Sequence, residues 1–366
     1  MADQVFRRVV VKVGSSILTD RSGRPDAQRL WQIVEQLAEA RRQAHEVIFV
    51  SSGAIACGMS VLGYTQRPKD LAQLQACAAV GQGELMRRYS QLFSEHGLQV
   101  AQLLLTQSDF TDQARCRNVK HCMKVLLAKG VVPIINENDV VAIEEITFGD
   151  NDRLAALVGC LVEAQLVVIL SDVDGLLHQG EVLGRIDRLD ETHRAMAMGT
   201  SRETTTGGMA AKLAAAKIAQ HGGIPLVIAN GTKPVLSKIL EGQPIGTLIS
   251  PPSVRLAFRK WWIAFSARNA LGSVVIDDGA AEALLDLGKS LLASGVREVR
   301  GRFHAGDPIV ILDASQAEIG RGLSNFSSSE LSRIRGLRTS AIADVLGRKA
   351  AGEAVHRNNL VLTRGL

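Results

Sequence analysis

Continuous apolar runs recur along roughly the first 250 residues of this chain, and longer stretches with helical patterns separate them. The runs that read as buried strands cover residues 9–13, 47–50, 131–135, 166–170 and 224–228. A strand that is apolar on both faces belongs in a parallel sheet with helices on each side, and alternation with helices gives that arrangement. We therefore predict an α/β three-layer sandwich around a mainly parallel sheet.

The pattern changes after Pro251 and Pro252, where a basic segment containing Trp261 and Trp262 follows. From Ser273 onward, short apolar runs stand between glycines, which is typical of a small, mostly β domain. A chain of 366 residues is long enough for about two domains. We predict one domain over residues 1–262, a linker over 263–273 and a second domain over 274–351.

Charge and cysteine content narrow the class of protein. Residues 273–366 hold twelve basic and eleven acidic side chains, so the second domain lacks the basic excess of a dedicated nucleic-acid binder. The five cysteines are odd in number and include no Cys-x-x-Cys pair, which favours reduced thiols. Because there is also no signal-peptide pattern and no apolar segment long enough for a membrane span, we expect a cytoplasmic protein without a membrane partner.

Two polar clusters mark the end of the third apolar run and the start of the helix that follows it. Asn136-Glu137-Asn138-Asp139 comes directly after the run, and Gly149-Asp150-Asn151-Asp152 opens the helix. Ligands of open α/β sheets bind outside the carboxyl ends of the strands, so these clusters predict a site for a small polar substrate. The alternative is that a residue of the second cluster only caps the helix.

Turns of small residues follow the first two apolar runs. Lys12 lies inside the first run, before Gly14-Ser15-Ser16, and an ammonium there must be paired or face a site. Such a lysine beside a tight turn suits a phosphate group, unless it lies at a sheet edge and points to water. After the second run, Ser51-Ser52-Gly53 allows a ligand to approach the backbone closely, although tight helix–strand packing explains the same small residues.

A third cluster, Thr206-Gly207-Gly208-Met209-Ala210-Ala211-Lys212, leads into an alanine-rich helix. Glycines before a helix N-terminus expose backbone N–H groups to an anion, and Lys212 in the first turn can reach the same anion. The alternative is a loop before a surface helix. Neither Gly288-Lys289-Ser290 nor Gly81-Gln82-Gly83 completes a nucleotide-binding motif, and the histidines show no metal-ligand spacing.

Together and in this order, these clusters resemble the amino acid kinase family, in the branch that phosphorylates glutamate. The stretches that carry the resemblance are 11–16, 51–56, 135–139, 148–152, 170–176 and 206–212. Residues 274 to about 350 are similar to the PUA domain, which is named for RNA-modifying enzymes. The resemblance implies the amino acid kinase fold and a reaction in which ATP and L-glutamate give L-glutamyl 5-phosphate and ADP, the first step of proline synthesis.

The resemblance also implies residue roles. Lys12 and Lys212 would stabilise the transferring phosphoryl group, and Asp152 would hold both lysines in position. Ser52, Asp139 and Asn151 would bind glutamate, with Asp139 as the partner of the α-ammonium group. ATP would contact Lys12, Ser171, Asp172, Thr206, Gly207, Gly208, Met209, Ala210, Ala211 and Lys212. Mg²⁺ would accompany ATP without a named protein ligand, proline would be a feedback inhibitor, and the protein would form a dimer or tetramer.

The chemistry of this transfer fits these residues. A side-chain carboxylate with a pKa near ~4.3 is already ionised at pH 7 and needs no general base to attack phosphorus. Alignment of two anions and neutralisation of charge are then the main requirements. Asp152 is therefore interpreted as an electrostatic organiser rather than as a proton acceptor.

Two alternatives remain open from the sequence. Another member of the family would use a different acceptor, such as acetylglutamate, aspartate, carbamate or a nucleoside monophosphate, and replacement of Asp139 would discriminate acetylated from free glutamate. A protein of another class would be an RNA-binding regulator acting through its PUA-like domain. The segment 178–185 is also shorter than the matching loop of the family, on the side where ATP would bind.

Overall fold

The computed structural model describes residues 6–20, 22–141, 151–198, 208–251, 260, 262–263, 272–348 and 352–363. The chain forms two compact units, Met1–Arg255 and Leu256–Leu366. The predicted boundaries at 262 and 273 stay predictions, because most of residues 252–271 lie outside the described part of the chain.

The N-terminal unit is built on an eight-stranded sheet in the order β3-β4-β2-β1-β5-β9-β10-β8. All neighbours are parallel except β9 and β10, which run antiparallel. This result confirms the predicted mainly parallel sheet. The strands are β1 (Arg8–Val13), β2 (Glu46–Val50), β3 (Val100–Leu105), β4 (Val132–Glu137), β5 (Leu166–Ser171), β8 (Arg185–Ile186), β9 (Leu226–Asn230) and β10 (Thr247–Ile249), with a separate hairpin of β6 (Leu177–His178) and β7 (Glu181–Val182).

Helices lie between most of these strands along the chain, although none lies between β5 and β8. They are α1 (Ser15–Leu18), α2 (Ala27–Arg42), α3 (Ala54–Leu62), α4 (Leu71–Glu95), α5 (Gln107–Thr111), α6 (Gln113–Ala128), α7 (Asn151–Leu161), α8 (Glu191–Met198), α9 (Met209–His221) and α10 (Leu236–Leu240). Buried side chains of β1, β2, β4 and β5 join those of α2 and α4 in one apolar core. The strand β3 was not predicted, because it is an edge strand whose side chains are mostly half exposed and form no continuous apolar run.

Glycines set how closely α3 and α4 pack. A Cβ atom added at Gly58 of α3 would lie 1.8 Å from the Cys77 carbonyl oxygen, and one added at Gly81 of α4 would lie 1.8 Å from that of Ala54. No side chain fits in these gaps, so the two helix backbones are in direct contact. Gly53 begins α3 with a φ of 98°, a left-handed conformation that glycine adopts without strain.

The C-terminal unit holds a five-stranded sheet in the order β13-β11-β14-β15-β17. Its strands are β11 (Gly272–Ile276), β12 (Leu291–Leu292), β13 (Val296–Gly301), β14 (Pro308–Leu312), β15 (Glu318–Leu323), β16 (Glu353–Val355) and β17 (Leu360–Leu362), and its helices are α11 (Asp278–Leu285), α12 (Ser328–Ile334) and α13 (Thr339–Leu346). Val274, Ile276, Ile309 and Ile311 are fully buried in its core. This unit confirms the predicted mostly β domain.

Candidate functional site

The carboxyl ends of the central strands lie side by side at one edge of the sheet. The strand β1 pairs in parallel with β2 and with β5, so Lys12 stands in register with Val50 on one side and Ile169 on the other. The strand β4 pairs with β2 and brings Asn136 and Glu137 to the same edge. The polar clusters that are distant in sequence therefore converge here, as the topology of a parallel sheet requires.

Lys12, Asp152 and Lys212 form a buried ion cluster. Lys12 Nζ lies 2.6 Å from Asp152 Oδ1, and Lys212 Nζ lies 3.2 Å from Asp152 Oδ2. Only 1% of Asp152, 5% of Lys12 and 6% of Lys212 is exposed. Because the cluster has two ammonium groups and one carboxylate, it carries a net positive charge in a place that water barely reaches. The alternative interpretation, in which Lys12 lies on an edge strand and points to water, is wrong, because β1 lies between β2 and β5 and Lys12 is buried.

The pKa of Asp152 reflects two opposed effects. Burial alone would raise it, but the charges of Lys12 and Lys212, together with their contacts to the carboxylate, hold the pKa of Asp152 below its ordinary value. The carboxylate also lies in the first turn of α7, where the helix dipole favours a negative charge. Asp152 is thus an ionised group with a lysine on each of its oxygens.

A chain of amide side chains lies beside this cluster. Asn151 Nδ2 donates to Ser52 Oγ and to Asn136 Oδ1, both at 3.0 Å. Asn136 Nδ2 donates in turn to Gln82 Oε1 at 2.9 Å, and the backbone N–H of Glu137 donates to Asn136 Oδ1 at 3.0 Å. Within the described part of the chain, Asn151 Oδ1 is buried and has no hydrogen-bond donor. A polar ligand with an N–H or O–H group would complete this chain.

Asp139 lies in the turn after β4. Its side chain is half buried, and burial raises the pKa of Asp139 to about 6 despite the opposing charge of Arg67. The same turn is held by α4, since Gln75 Nε2 donates to the Val140 carbonyl oxygen at 3.0 Å. Asp139 is therefore a carboxylate that a nearby cation would stabilise.

The residues predicted to contact ATP occupy two places. At the end of β5, Ser171 Oγ donates to Asp172 Oδ1 at 3.0 Å. Gly208 immediately precedes α9. The first turn of this helix consists of Met209, Ala210, Ala211 and Lys212. Thr206 and Gly207 lie outside the described residues. A cavity of about 260 Å³ lies near the end of β5, lined by Asp174, Val182, Gly184, Asn230 and Lys233. The short segment 178–185 thus contributes to its wall through the β6–β7 hairpin.

Asn136 and Gln82 join the site, although neither was singled out as a site residue from the sequence. Asn136 lies at the end of β4 and belongs to the polar cluster that follows the third apolar run, and this cluster is the signal that the sequence offers. Gln82 stands between two glycines, in a stretch that does not complete a dinucleotide motif. Nothing in the sequence shows that the Gly81 packing brings Gln82 to the end of β4.

No helix in the described ranges is both long and apolar enough to cross a membrane. Among the same residues, no group of three or more His, Cys, Asp or Glu side chains could hold a metal ion. Asp152, the buried carboxylate of the cluster, already has a lysine on each oxygen.

The comparisons with known proteins give the class of protein to which this fold belongs, a family of phosphotransferases. Residues 7–230 match the model of the amino acid kinase family, and residues 272–346 match that of the PUA domain. The chain belongs to the amino acid kinase family, and over nearly its whole length it is similar to glutamate 5-kinases. It is 44% identical over 367 residues to the glutamate 5-kinase of Caldanaerobacter subterraneus subsp. tengcongensis, with 98% of each chain covered.

Two further relatives give the same result. The glutamate 5-kinase of Pelobacter propionicus is 42% identical over 373 residues, covering 99% of this chain and 100% of the relative. That of Citrifermentans bemidjiense is 44% identical over 370 residues, covering 97% of each.

Proposed function

We propose that this protein transfers the γ-phosphoryl group of ATP to the side-chain carboxylate of L-glutamate, giving L-glutamyl 5-phosphate and ADP, the first step of proline biosynthesis. The buried cluster of Lys12, Asp152 and Lys212 is the single observation that carries the proposal. Its position at the carboxyl ends of the central strands, beside the hydrogen-bonded Ser52–Asn151 pair, supports a phosphoryl transfer to a polar substrate.

The two lysines supply the positive charge that this reaction needs. A carboxylate must approach a phosphoryl group that is itself negative, and negative charge on the phosphoryl oxygens must be neutralised in the transition state. Ammonium groups that are already desolvated and held in place do this without reorganising solvent. We assign Lys12 and Lys212 this role, and Asp152 keeps them in position.

Asp152 is not needed as a base. The attacking glutamate carboxylate carries no proton at pH 7. Asp152 has a pKa below its ordinary value and an ammonium group at each oxygen, so its affinity for a proton is low. These observations support an organising role and argue against proton transfer.

Asp139, Ser52 and Asn151 are proposed to hold glutamate. Burial leaves the charge of Asp139 poorly solvated and raises its pKa, so the α-ammonium group of glutamate would be a favourable partner. An N-acetyl group would remove the positive charge of that partner. Asp139 thus favours free glutamate over acetylglutamate, and the comparisons do not favour another acceptor or an RNA-binding regulator.

ATP is proposed to contact Lys12, Ser171, Asp172 and the segment 206–212. The first turn of α9 suits phosphate, because the helix dipole and its backbone N–H groups favour an anion and Lys212 lies in the same turn. We propose Mg²⁺ as the accompanying metal, held by ATP oxygens, where it neutralises part of the phosphate charge. Inhibition by proline, a dimer or tetramer, and a cytoplasmic location complete the proposal, as the family resemblance implies.

Trapping of the acyl phosphate with hydroxylamine tests this proposal. L-Glutamate, N-acetyl-L-glutamate and L-aspartate are compared with ATP in excess, using the unaltered protein, Lys212→Ala and Asp139→Ala. We expect hydroxamate from glutamate alone and its loss in both variants. Absence of hydroxamate with every acceptor would overturn the kinase assignment.

A further inference from the structure

Gln82 is a buried polar residue that the proposed reaction does not use. It lies in the middle of α4, only 8% exposed, and its side chain reaches the end of β4. The approach depends on the neighbouring Gly81, since any side chain there would collide with the Ala54 carbonyl oxygen of α3. A glutamine in such a place is costly unless its amide makes good hydrogen bonds.

Two contacts set the direction of the hydrogen bonds of Asn136: the Glu137 backbone N–H, which can only donate, and the amide oxygen of Gln82. Gln82 Oε1 accepts from Asn136 Nδ2, so Asn136 must turn its Oδ1 the other way, where it accepts from Asn151 Nδ2 and from the Glu137 backbone N–H. If the Asn136 amide rotated by half a turn, its NH₂ group would face both of these donors. Gln82 and the Glu137 backbone thus fix one orientation of Asn136.

The orientation of Asn151 follows from that of Asn136. Both acceptors of its Nδ2 group, Asn136 Oδ1 and Ser52 Oγ, are in place. Its buried Oδ1 is left without a donor among the described residues, and such an atom is costly unless a ligand supplies one. At neutral pH, the only N–H donors of glutamate are those of its α-ammonium group.

We propose that Gln82 is a positioning residue for the amino acid substrate: through Asn136 it holds Asn151 with Oδ1 as the acceptor for the α-ammonium group. The inference rests on the proposed function, because it takes glutamate as the ligand. Gln82 itself contacts no substrate. Its loss should weaken the binding of glutamate and leave the binding of ATP unchanged, since the ATP residues are not part of this chain of amides.

Two substitutions at Gln82 separate positioning from packing. Gln82→Met keeps a similar volume and removes the acceptor, whereas Gln82→Glu keeps an acceptor oxygen. Gln91→Met, on an exposed part of the same helix, is the control. We expect the KM for glutamate to rise about tenfold in Gln82→Met, from the loss of one buried hydrogen bond, and to stay within about threefold in Gln82→Glu and Gln91→Met. The KM for ATP should change less than twofold in all three.

The KM values remain informative if part of a variant is unfolded, because inactive molecules lower the apparent kcat and do not change KM. An unchanged KM for glutamate in Gln82→Met, or equal increases of this KM in Gln82→Met and Gln82→Glu, would overturn the positioning role. An unaltered protein that forms no glutamyl phosphate would instead overturn the proposed function, and with it this inference.

Discussion

Replacement of Asp139 by asparagine should make the ligand-free protein more stable while it disables glutamate binding. Burial raises the pKa of Asp139 from 3.8 to about 6. The difference is about 2 pKa units, and each unit corresponds to about 1.4 kcal/mol, so the ionised carboxylate destabilises the folded state by up to about 3 kcal/mol at pH 7. Asparagine has nearly the same shape and no charge, and it should recover most of this free energy.

The sign of the effect depends on pH in a defined way. In the unfolded chain Asp139 ionises near pH 3.8, and in the folded protein near pH 6. Its unfavourable contribution is therefore full above pH 6, declines as the pH falls through this window, and disappears below about pH 3.8. Asp139→Asn should exceed the unaltered protein in free energy of unfolding by about 3 kcal/mol at pH 7 and by much less at pH 4.5.

Urea unfolding of both proteins at the two pH values measures this difference. Asp344→Asn, which changes an exposed carboxylate of the C-terminal unit, serves as the control and should have little effect at either pH. In activity assays, Asp139→Asn should raise the KM for glutamate on the order of a hundredfold, from the loss of a partly buried charge pair. A variant that is less stable than the unaltered protein at pH 7 would refute the reasoning on burial.

Four further results are expected. The KM for glutamate of the unaltered protein should rise about tenfold per pH unit below pH 6, as Asp139 becomes protonated, and that of Asp139→Asn should not. Asp152→Asn leaves two buried ammonium groups without their carboxylate. Urea unfolding should show that the free energy of unfolding falls by about 3–5 kcal/mol, and kcat should fall on the order of a hundredfold. A near-normal kcat would contradict the organising role of Asp152. In thermal unfolding, Gly81→Ala should destabilise the protein by about 3 kcal/mol, because the new Cβ forces α4 away from α3. Gly83→Ala on the same helix has nothing within 4 Å of the new Cβ, and it should stabilise the protein by about 0.5–1 kcal/mol. Removal of divalent metal with EDTA should abolish hydroxamate formation and excess Mg²⁺ should restore it; full activity without metal would exclude the proposed role of Mg²⁺.

The predictable part of the site consists of residues whose chemistry conflicts with their surroundings. Lys12 in a run of valines, and the carboxylates and amides directly after an apolar run, are expensive in a core and are retained where they have partners. A charged or amide side chain in apolar surroundings is therefore enough to indicate a functional site. The sequence does not predict which of these side chains pair with each other. Lys12, Asp152 and Lys212 come from three distant segments and meet only when β1, α7 and α9 are packed.

The position of Gln82 in the site and the strand β3 could not be predicted from the sequence. Glutamine is unremarkable in a helix, and only the contact between α3 and α4 through Gly58 and Gly81 reveals that it is buried and hydrogen bonded. The edge strand β3 pairs with β4 through backbone hydrogen bonds, and these depend little on which side chains the strand carries.

The class of fold, the two-unit organisation and the kinds of side chain at the site follow from the amino-acid sequence, because apolar runs buried on both faces require a covered parallel sheet and ligands bind at the ends of its strands. Tertiary packing alone brings one carboxylate between two lysines, buries Asp139 enough to raise its pKa, and places a glutamine of α4 in a hydrogen bond with Asn136. Charge interactions and hydrogen bonds depend on distances of a few ångströms, and packing of distant segments sets those distances.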